Sequence, residues 1–227
     1  MSMQALEVTE PFARSRRNHY PIVSPAAAPG LFGPMAASLT FVRDEEVYGE
    51  GEPAEYLYTV QSGCVRTSKI LNDGRRQIGA FYLPGDVFGL EAGDAHSFSA
   101  EALTATTVRV VKRTAFASRT PCDGAMANQL LRLTAAELDR TQGRVLLLIK
   151  SAQERVAGFL LEMAKRNHSV NEIELPMSRQ DIADYLGLTI ETVSRTLTHL
   201  ENTCAIALPT SRHIVLRNRA ALARLNA

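Results

Sequence analysis

Apolar and polar residues alternate in short runs between residues 38 and 111, and turn-forming residues separate the runs. A period of two predicts β-strands with one buried face. The predicted strands cover residues 57–60, 65–70, 77–82 and 106–111. Asn72-Asp73-Gly74 lies between two of these runs and is a strong hairpin signal. Strands this short and closely spaced favour a small barrel or jelly roll over a parallel sheet.

The hydrophobic period changes after the strands. Between residues 125 and 151 there is no proline, and one set of residues recurs at alternating steps of four and three. The set is Ala127, Leu131, Thr134, Leu138, Thr141, Val145 and Leu148. This repeat predicts a helix of about 40 Å with the seam of a two-stranded coiled coil. We expect it to pair two subunits through Leu131, Leu138, Val145 and Leu148, and a helix that packs only on its own β-domain is the alternative.

The rest of the chain returns to helical periodicity and ends in a short hairpin. The predicted helices cover residues 154–165, 178–186 and 190–200, and the predicted strands cover 205–208 and 213–216. Ser178 and Asp181 form a capping box, and Gly187 is the residue type that most easily ends a helix. Thr189 is placed to cap the next helix. Two helices joined by a short turn, followed by a hairpin, indicate a winged helix-turn-helix.

The last of these helices presents a face with base-reading chemistry. Glu191, Ser194 and Arg195 lie at i, i+3 and i+4 and so share one side of the helix. Arginine donates to guanine O6 and N7, a carboxylate accepts from cytosine N4, and a serine hydroxyl meets a base edge or a phosphate. A surface ion pair between Glu191 and Arg195 is the alternative. The predicted DNA-binding set is Glu191, Ser194, Arg195, the flanking Ile190 and Thr192, and Arg179 and Gln180 as phosphate partners.

Composition narrows the classes of protein. The 227 residues contain 25 Lys and Arg and 24 Asp and Glu, a net charge of +1, which excludes a histone-like nucleic-acid binder but not one with a small basic face. No apolar run is long enough to span a bilayer and no secretory signal is present, so we expect a cytoplasmic protein without membrane contact. Residues 1–34, with several Arg and Pro, predict a flexible tail.

The cysteines and histidines offer little further chemistry. Three widely spaced cysteines do not predict a disulfide framework. Cys64 and Cys122 are expected to be packing or edge residues. Cys204 is a redox site if it is exposed, but we expect it to be buried and inert. The five histidines lack metal-ligand spacing and no P-loop or Gly-x-Ser-x-Gly motif occurs, so we expect no metal site and no enzymatic activity.

Two segments before the long helix and one after it carry a resemblance to a known family. They are Gly49-Glu-Gly-Glu-Pro-Ala-Glu-Tyr-Leu-Tyr-Thr-Val-Gln-Ser-Gly63, Pro84-Gly-Asp-Val-Phe-Gly89 and Ser178-Arg-Gln-Asp-Ile-Ala-Asp-Tyr-Leu-Gly-Leu-Thr-Ile-Glu-Thr-Val-Ser-Arg195. Over about residues 35–227 the chain resembles the Crp/Fnr superfamily of bacterial transcription regulators. The resemblance implies an α+β fold. Its parts are a cyclic-nucleotide-binding-like β-roll over 35–121, a dimerisation helix over 122–151 and a winged helix-turn-helix over 152–227.

The segment Glu191-x-x-Ser194-Arg195 matches the Fnr branch, which reads a two-fold symmetric TTGA-N6-TCAA site. The resemblance implies that Arg195 reads the G of each half-site, Glu191 the opposite C and Ser194 a neighbouring thymine. The chain looks most like the FixK-type regulators of rhizobia. These are homodimers that bind double-stranded DNA and RNA polymerase and activate microaerobic, denitrification or nitrogen-fixation genes.

Departures from the family pattern concern the ligand. Members that bind cyclic AMP hold its phosphate with an Arg-Ser pair, and here Phe98 precedes Ser99 at that place. No cysteine precedes Cys64, so the N-terminal cysteines that hold the iron–sulfur cluster of Fnr are missing. We therefore expect no bound cofactor. The alternative is a ligand-gated sensor whose β-roll binds a nucleotide, a metabolite or haem; His96 is then the candidate haem ligand, although a loop or surface histidine is the stronger expectation.

Overall fold

The predicted strands form two antiparallel sheets in a computed structural model that describes residues 36–119, 124–147, 149–167 and 171–226. The strands are β1 (Ala37–Phe41), β2 (Glu46–Tyr48), β3 (Tyr56–Ser62), β4 (Val65–Ile70), β5 (Arg76–Tyr82), β6 (Val87–Phe88), β7 (Ser99–Ala102) and β8 (Thr106–Lys112). One sheet has the order β1-β8-β3-β6 and the other β2-β7-β4-β5. The four predicted runs lie within β3, β4, β5 and β8, so the expected β-roll is confirmed.

The hairpin between β4 and β5 forms where its turn residues predict it. Gly74 has a φ of +82°, a left-handed conformation that glycine adopts without steric cost. Its N–H donates to the Leu71 carbonyl oxygen at 2.9 Å, and the strands on either side begin pairing at Ile70 and Arg76. This hairpin fixes the position of β5, the strand that contacts the C-terminal helices.

The long predicted helix forms but ends earlier than expected. A short helix α1 (Arg113–Arg119) precedes it, and α2 spans Gly124–Leu147. Ser151, predicted as the end of this helix, instead caps α3 (Ala152–Arg166). The Glu154 carboxylate accepts from the Ser151 N–H at 2.6 Å, while the Ser151 hydroxyl accepts from the Glu154 N–H. This capping box assigns Ser151 to the next helix, and the heptad pattern alone does not reveal it.

The C-terminal part is a winged helix-turn-helix, as predicted. Its elements are β9 (Glu172–Glu174), α4 (Arg179–Leu186), α5 (Ile190–Asn202), β10 (Ile206–Ala207), β11 (His213–Leu216) and α6 (Arg219–Asn226). The strands form a sheet with the order β10-β11-β9. Sequence analysis did not predict α1, β9 or α6, which are short and lack a clear hydrophobic period.

The hydrophobic core of the C-terminal domain continues into the β-roll. Ile78 and Phe81 of β5 are buried in one cluster with Phe159 of α3 and Ile182 of α4. The Phe81 ring lies 5.2 Å from that of Tyr185, centroid to centroid. On the other side of the β-roll, Leu130 and Leu133 of α2 pack against Leu57, Val87, Val111 and Phe116. The β-roll therefore supports both the long helix and the helix pair that follows it.

Candidate nucleic-acid interface

Three local capping interactions fix the geometry of α4 and α5. The Ser178 hydroxyl accepts from the Asp181 N–H at 3.1 Å, and the Asp181 carboxylate accepts from the Ser178 N–H at 2.9 Å. Gly187 ends α4 with a φ of +64°. Thr189 caps α5 by accepting from the Thr192 N–H at 3.2 Å. The predicted caps are confirmed, and the turn between the helices is as short as a helix-turn-helix requires.

Removal of the first cap is expected to destabilise the fold measurably. In Ser178→Ala the Asp181 N–H loses its acceptor, so the free energy of unfolding should fall by about 1 kcal/mol in urea titration. Thr198→Ala is the control, because its hydroxyl bonds within α5 to the Ser194 carbonyl oxygen and caps no helix end. That variant should stay within about 0.5 kcal/mol of the native chain. An equal loss in both variants would contradict a specific capping role.

The base-reading face predicted from the sequence lies on the outside of α5. Glu191 and Arg195 are exposed and Ser194 is half-buried, whereas Val193 and Leu197 on the opposite side are buried in the core. Thus α5 is anchored by one face and presents the other.

The Glu191 carboxylate is held in its ionised form. Its own backbone N–H, the Thr189 hydroxyl and the charge of Arg195 hold its pKa below the usual Glu value. At neutral pH the group is therefore an acceptor, as recognition of the cytosine amine requires.

The predicted phosphate partners contact their neighbours in the DNA-free chain. Arg179 Nη1 donates to Ser194 Oγ at 3.4 Å, and Gln180 Nε2 donates to Asp184 Oδ1 at 2.6 Å. Both residues lie in the first turn of α4, and Arg179 reaches Ser194 on the reading face of α5. The flanking Ile190 is exposed, and the Thr192 hydroxyl lies 3.1 Å from that of Thr189.

The long helix carries an exposed apolar stripe. Leu131, Leu138 and Val145 are 68%, 57% and 60% exposed. Their spacing of seven residues corresponds to one of the two heptad positions that form the predicted coiled-coil seam. The fourth seam residue, Leu148, lies outside the described residues.

One expectation about a single residue was wrong. Cys204, expected to be buried, is exposed, because the chain turns there in a left-handed conformation (φ +56°) after α5. His96 lies in a loop, as expected, and is buried there with its ring stacked 3.5 Å from that of Tyr48. Cys64 is buried as predicted, which raises the pKa of its thiol to about 12. Cys122 lies outside the described residues.

A cavity of about 680 Å³ lies between the β-roll, α2 and the turn of the helix pair. Apolar and aromatic residues such as Phe88 and Phe98 line much of it. Phe98 packs over Gly79 of β5, where a Cβ would approach its ring to 3.0 Å. Arg155, the arginine in the described lining, donates to the carbonyl oxygens of Lys150 and Leu186. Glu91 adds a negative charge, so this lining is poorly suited to an anionic ligand.

Sequence reasoning missed the ion pairs between the β-roll and the helix pair. Arg66 and Arg76 of the β-roll form ion pairs with Asp181 and Asp184 of α4. In the sequence Asp181 is recognisable only as a capping residue, Arg66, Arg76 and Asp184 have the appearance of ordinary surface charges, and no spacing relates the arginines to the aspartates. Across the described ranges, no helix is long and apolar enough to cross a membrane. The same part of the chain contains no group of three or more His, Cys, Asp or Glu able to hold a metal ion.

Comparisons with known proteins match both halves of the fold. Residues 154–225 match the Crp-like helix-turn-helix domain, and residues 38–119 match the cyclic nucleotide-binding domain. The nitrogen fixation regulation protein FixK of Azorhizobium caulinodans is 51% identical over 198 residues, which cover 85% of this chain and 80% of that protein. FixK of Rhizobium meliloti is 42% identical over 86% of this chain and 89% of that protein. The structure of FixK2 from Bradyrhizobium japonicum is 52% identical with a TM-score of 0.81, covering 85% of this chain and 98% of that one.

Proposed function

We propose a function from one premise: the chain belongs to the Crp/Fnr family of DNA-binding transcription regulators and is of the FixK and Fnr type. On that premise it acts as a homodimer that reads a palindromic TTGA-N6-TCAA site without a bound cofactor. The observation that carries the proposal is the outer face of α5. Glu191, Ser194 and Arg195 lie together there, on a capped helix whose opposite face is buried in the core.

Base reading follows from the donors and acceptors on this face. Arg195 donates two hydrogen bonds to O6 and N7 of the guanine in each half-site. Glu191 accepts from N4 of the paired cytosine, and Ser194 meets a neighbouring thymine. Arg179 and Gln180 contact phosphates and hold the helix pair in register on the duplex. Arg179 exchanges its contact with Ser194 for a phosphate when DNA binds.

The apolar stripe on α2 supports the homodimer. Leu131, Leu138 and Val145 bring three large apolar side chains into water in the single chain, and pairing two such helices buries them. A two-fold axis along this helix places two copies of α5 in successive major grooves, about 34 Å apart. The half-sites must then be inverted repeats, which is the symmetry of TTGA-N6-TCAA.

The lining of the β-roll cavity supports binding without an effector. Phe98 stands where an arginine is required for a cyclic phosphate, and Arg155 is engaged by backbone carbonyl groups. The alternative is a ligand-gated sensor, and the volume of the cavity, about 680 Å³, favours it as a second candidate for an uncharged ligand. In either form we propose that the regulator recruits RNA polymerase and activates microaerobic, denitrification or nitrogen-fixation genes.

The purified chain, without additives, is expected to bind a duplex of about 30 bp carrying TTGA-N6-TCAA about 1,000-fold more tightly than a scrambled duplex. Fluorescence anisotropy at one fixed salt concentration measures both affinities. Cyclic AMP should change neither value, because Arg155, the arginine of the described lining, is already engaged by backbone carbonyl groups. Equal affinity for the two duplexes would contradict sequence-specific reading. A preference that appears only with cyclic AMP would instead establish the ligand-gated sensor.

A further inference from the structure

Besides the shared hydrophobic core, a buried carboxylate, that of Asp181, joins the helix pair to the β-roll. Asp181 Oδ1 accepts from Arg66 Nη1 at 2.6 Å and from Arg76 Nη2 at 2.8 Å. Arg66 belongs to β4, Arg76 to β5 and Asp181 to α4, so the contact joins the two domains. The Asp181 side chain is only 5% exposed. Hydrogen bonds between charged groups in such a setting are the strong ones.

The same carboxylate also caps α4. Its other oxygen, Oδ2, accepts from the Ser178 N–H at 2.9 Å and from the Ser178 hydroxyl at 2.7 Å. Four donors thus occupy the four acceptor positions of the carboxylate. A movement of the β-roll arginines relative to α4 must therefore break either the interdomain bonds or the cap. The orientation of α4 is tied to the β-roll at its first turn, which is the end predicted to meet DNA.

Further contacts extend this attachment in both directions. On the β-roll side, Arg66 Nη2 donates to Glu101 Oε1 of β7 at 2.9 Å, which fixes the arginine between two strands. On the helix side, Arg76 Nε donates to Asp184 Oδ2 at 2.7 Å. The other oxygen of Asp184 accepts from Gln180, a predicted phosphate partner. A continuous chain of hydrogen bonds runs from the β-roll sheet to the DNA-facing turn.

These ion pairs are not well arranged to add stability. Arg66 Nε is buried and has no partner among the described residues. Buried ion pairs often contribute little net stability, because desolvation offsets their attraction. Burial also raises the pKa of Asp181, but the hydrogen bonds from Ser178 and the charges of Arg66 and Arg76 outweigh it, so the pKa lies below the usual value. The Asp181 carboxylate is therefore ionised at neutral pH. Its contact with Arg66 and Arg76 is distinguished by its geometry rather than by its contribution to stability.

We infer that Arg66 is a positioning residue for DNA reading: acting through Asp181, it holds α4, and with it α5, in the orientation that fits the operator. The inference rests on the function proposed above and adds a role for the β-roll. In this view the sheet acts as a fixed support for the helix pair, in place of a bound effector. Arg66 itself does not touch DNA.

Arg66→Met tests the inference, because methionine replaces the apolar stem of the arginine side chain and removes the charged fork. We expect its affinity for the palindromic duplex to fall about tenfold while its affinity for a scrambled duplex changes little. The affinity of Arg66→Lys for the palindromic duplex should lie between those of the native chain and Arg66→Met, since lysine restores the charge without the fork. Lys69→Met is the matched control: it removes one positive charge from the same strand, where Lys69 pairs with the partly exposed Glu50. That variant should retain the native preference.

Hydrogen exchange without DNA provides the second measurement. In Arg66→Met the amides of α4 should exchange faster while those of β3 and β8 stay protected, because docking weakens and the β-roll remains folded. If this variant lowers the melting temperature of the whole chain, Arg76→Gln, whose side chain is more exposed, repeats both measurements.

The outcomes separate this inference from the proposed function. If the native chain prefers the palindrome and the Arg66→Met variant shows the same preference, the positioning role alone is overturned. Tighter binding by the variant overturns it as well and shows that docking opposes DNA binding. A native chain without preference contradicts the proposed function, and the inference with it. Unchanged exchange in α4 contradicts the docking role, whatever the DNA result.

Discussion

Arg195→Ala is expected to lower the affinity for the palindromic duplex by about 1–3 kcal/mol per half-site, which corresponds to about 5- to 150-fold for each. The reason is the loss of two hydrogen bonds to guanine O6 and N7. Arg195 is exposed on α5 and has no part in the hydrophobic core, so the fold should remain intact. Anisotropy titrations of native and variant protein on the same duplex measure the change.

A set of altered duplexes sharpens this test. When the G·C pair of each half-site is replaced by A·T, the native chain should lose most of its preference, whereas Arg195→Ala should bind both duplexes alike. Arg224→Ala is the matched control, since it removes an exposed arginine of α6 in the same domain. Its affinities should equal the native ones. A variant at Arg195 that still discriminates at the G position would show that another residue reads it.

Leu138→Glu is expected to convert the dimer into single chains and to weaken binding to the palindromic duplex by about 100-fold or more. Leu138 lies in the middle of the exposed stripe, 57% exposed in the single chain. A glutamate there places two like charges across the proposed two-fold seam, at the position where the proposed dimer brings two leucines together. Each half-site is then bound separately and the gain from two linked contacts is lost. Analytical ultracentrifugation gives the oligomeric state, and anisotropy gives the affinity.

The control for Leu138→Glu introduces the same new side chain on another face of α2. Arg132→Glu introduces a glutamate one residue after Leu131, which turns it by about 100° around the helix axis and away from the seam. It should remain dimeric. If Leu138→Glu also stays dimeric and binds as the native chain does, the predicted seam is not the subunit interface.

The helix pair could be predicted from the sequence because its signals are local. Ser178, Gly187 and Thr189 act on backbone groups within a turn of their own positions, so each signal is complete in a few residues. The reading face follows from the same helix periodicity, since Glu191 and Arg195 are one turn apart. The strands were predictable for a similar reason: alternation records which side of a sheet is buried.

Features that depend on tertiary contacts were not predictable in this way. The exposure of Cys204 and the burial of His96 follow from how the chain packs around each residue, which their local sequence does not reveal. Arg66 and Asp181 are 115 positions apart, and neither lies in a pattern that marks it as buried. The end of α2 is a different case: the capping signal at Ser151 and Glu154 was present, but the heptad repeat runs to Leu148, past the end of α2 at Leu147, and so favoured a longer helix.

The exposed apolar stripe of α2 affects how steeply the activity of such a regulator depends on its own concentration. When two chains must meet before both half-sites are bound, the amount of active dimer at low abundance grows with the square of the amount of monomer. Doubling synthesis then quadruples promoter occupancy, and halving it has the reverse effect. For a homodimer of the proposed kind, without an effector, production and turnover become the input signal, and pairing through Leu131, Leu138 and Val145 would turn a small change in dose into a sharp change in transcription.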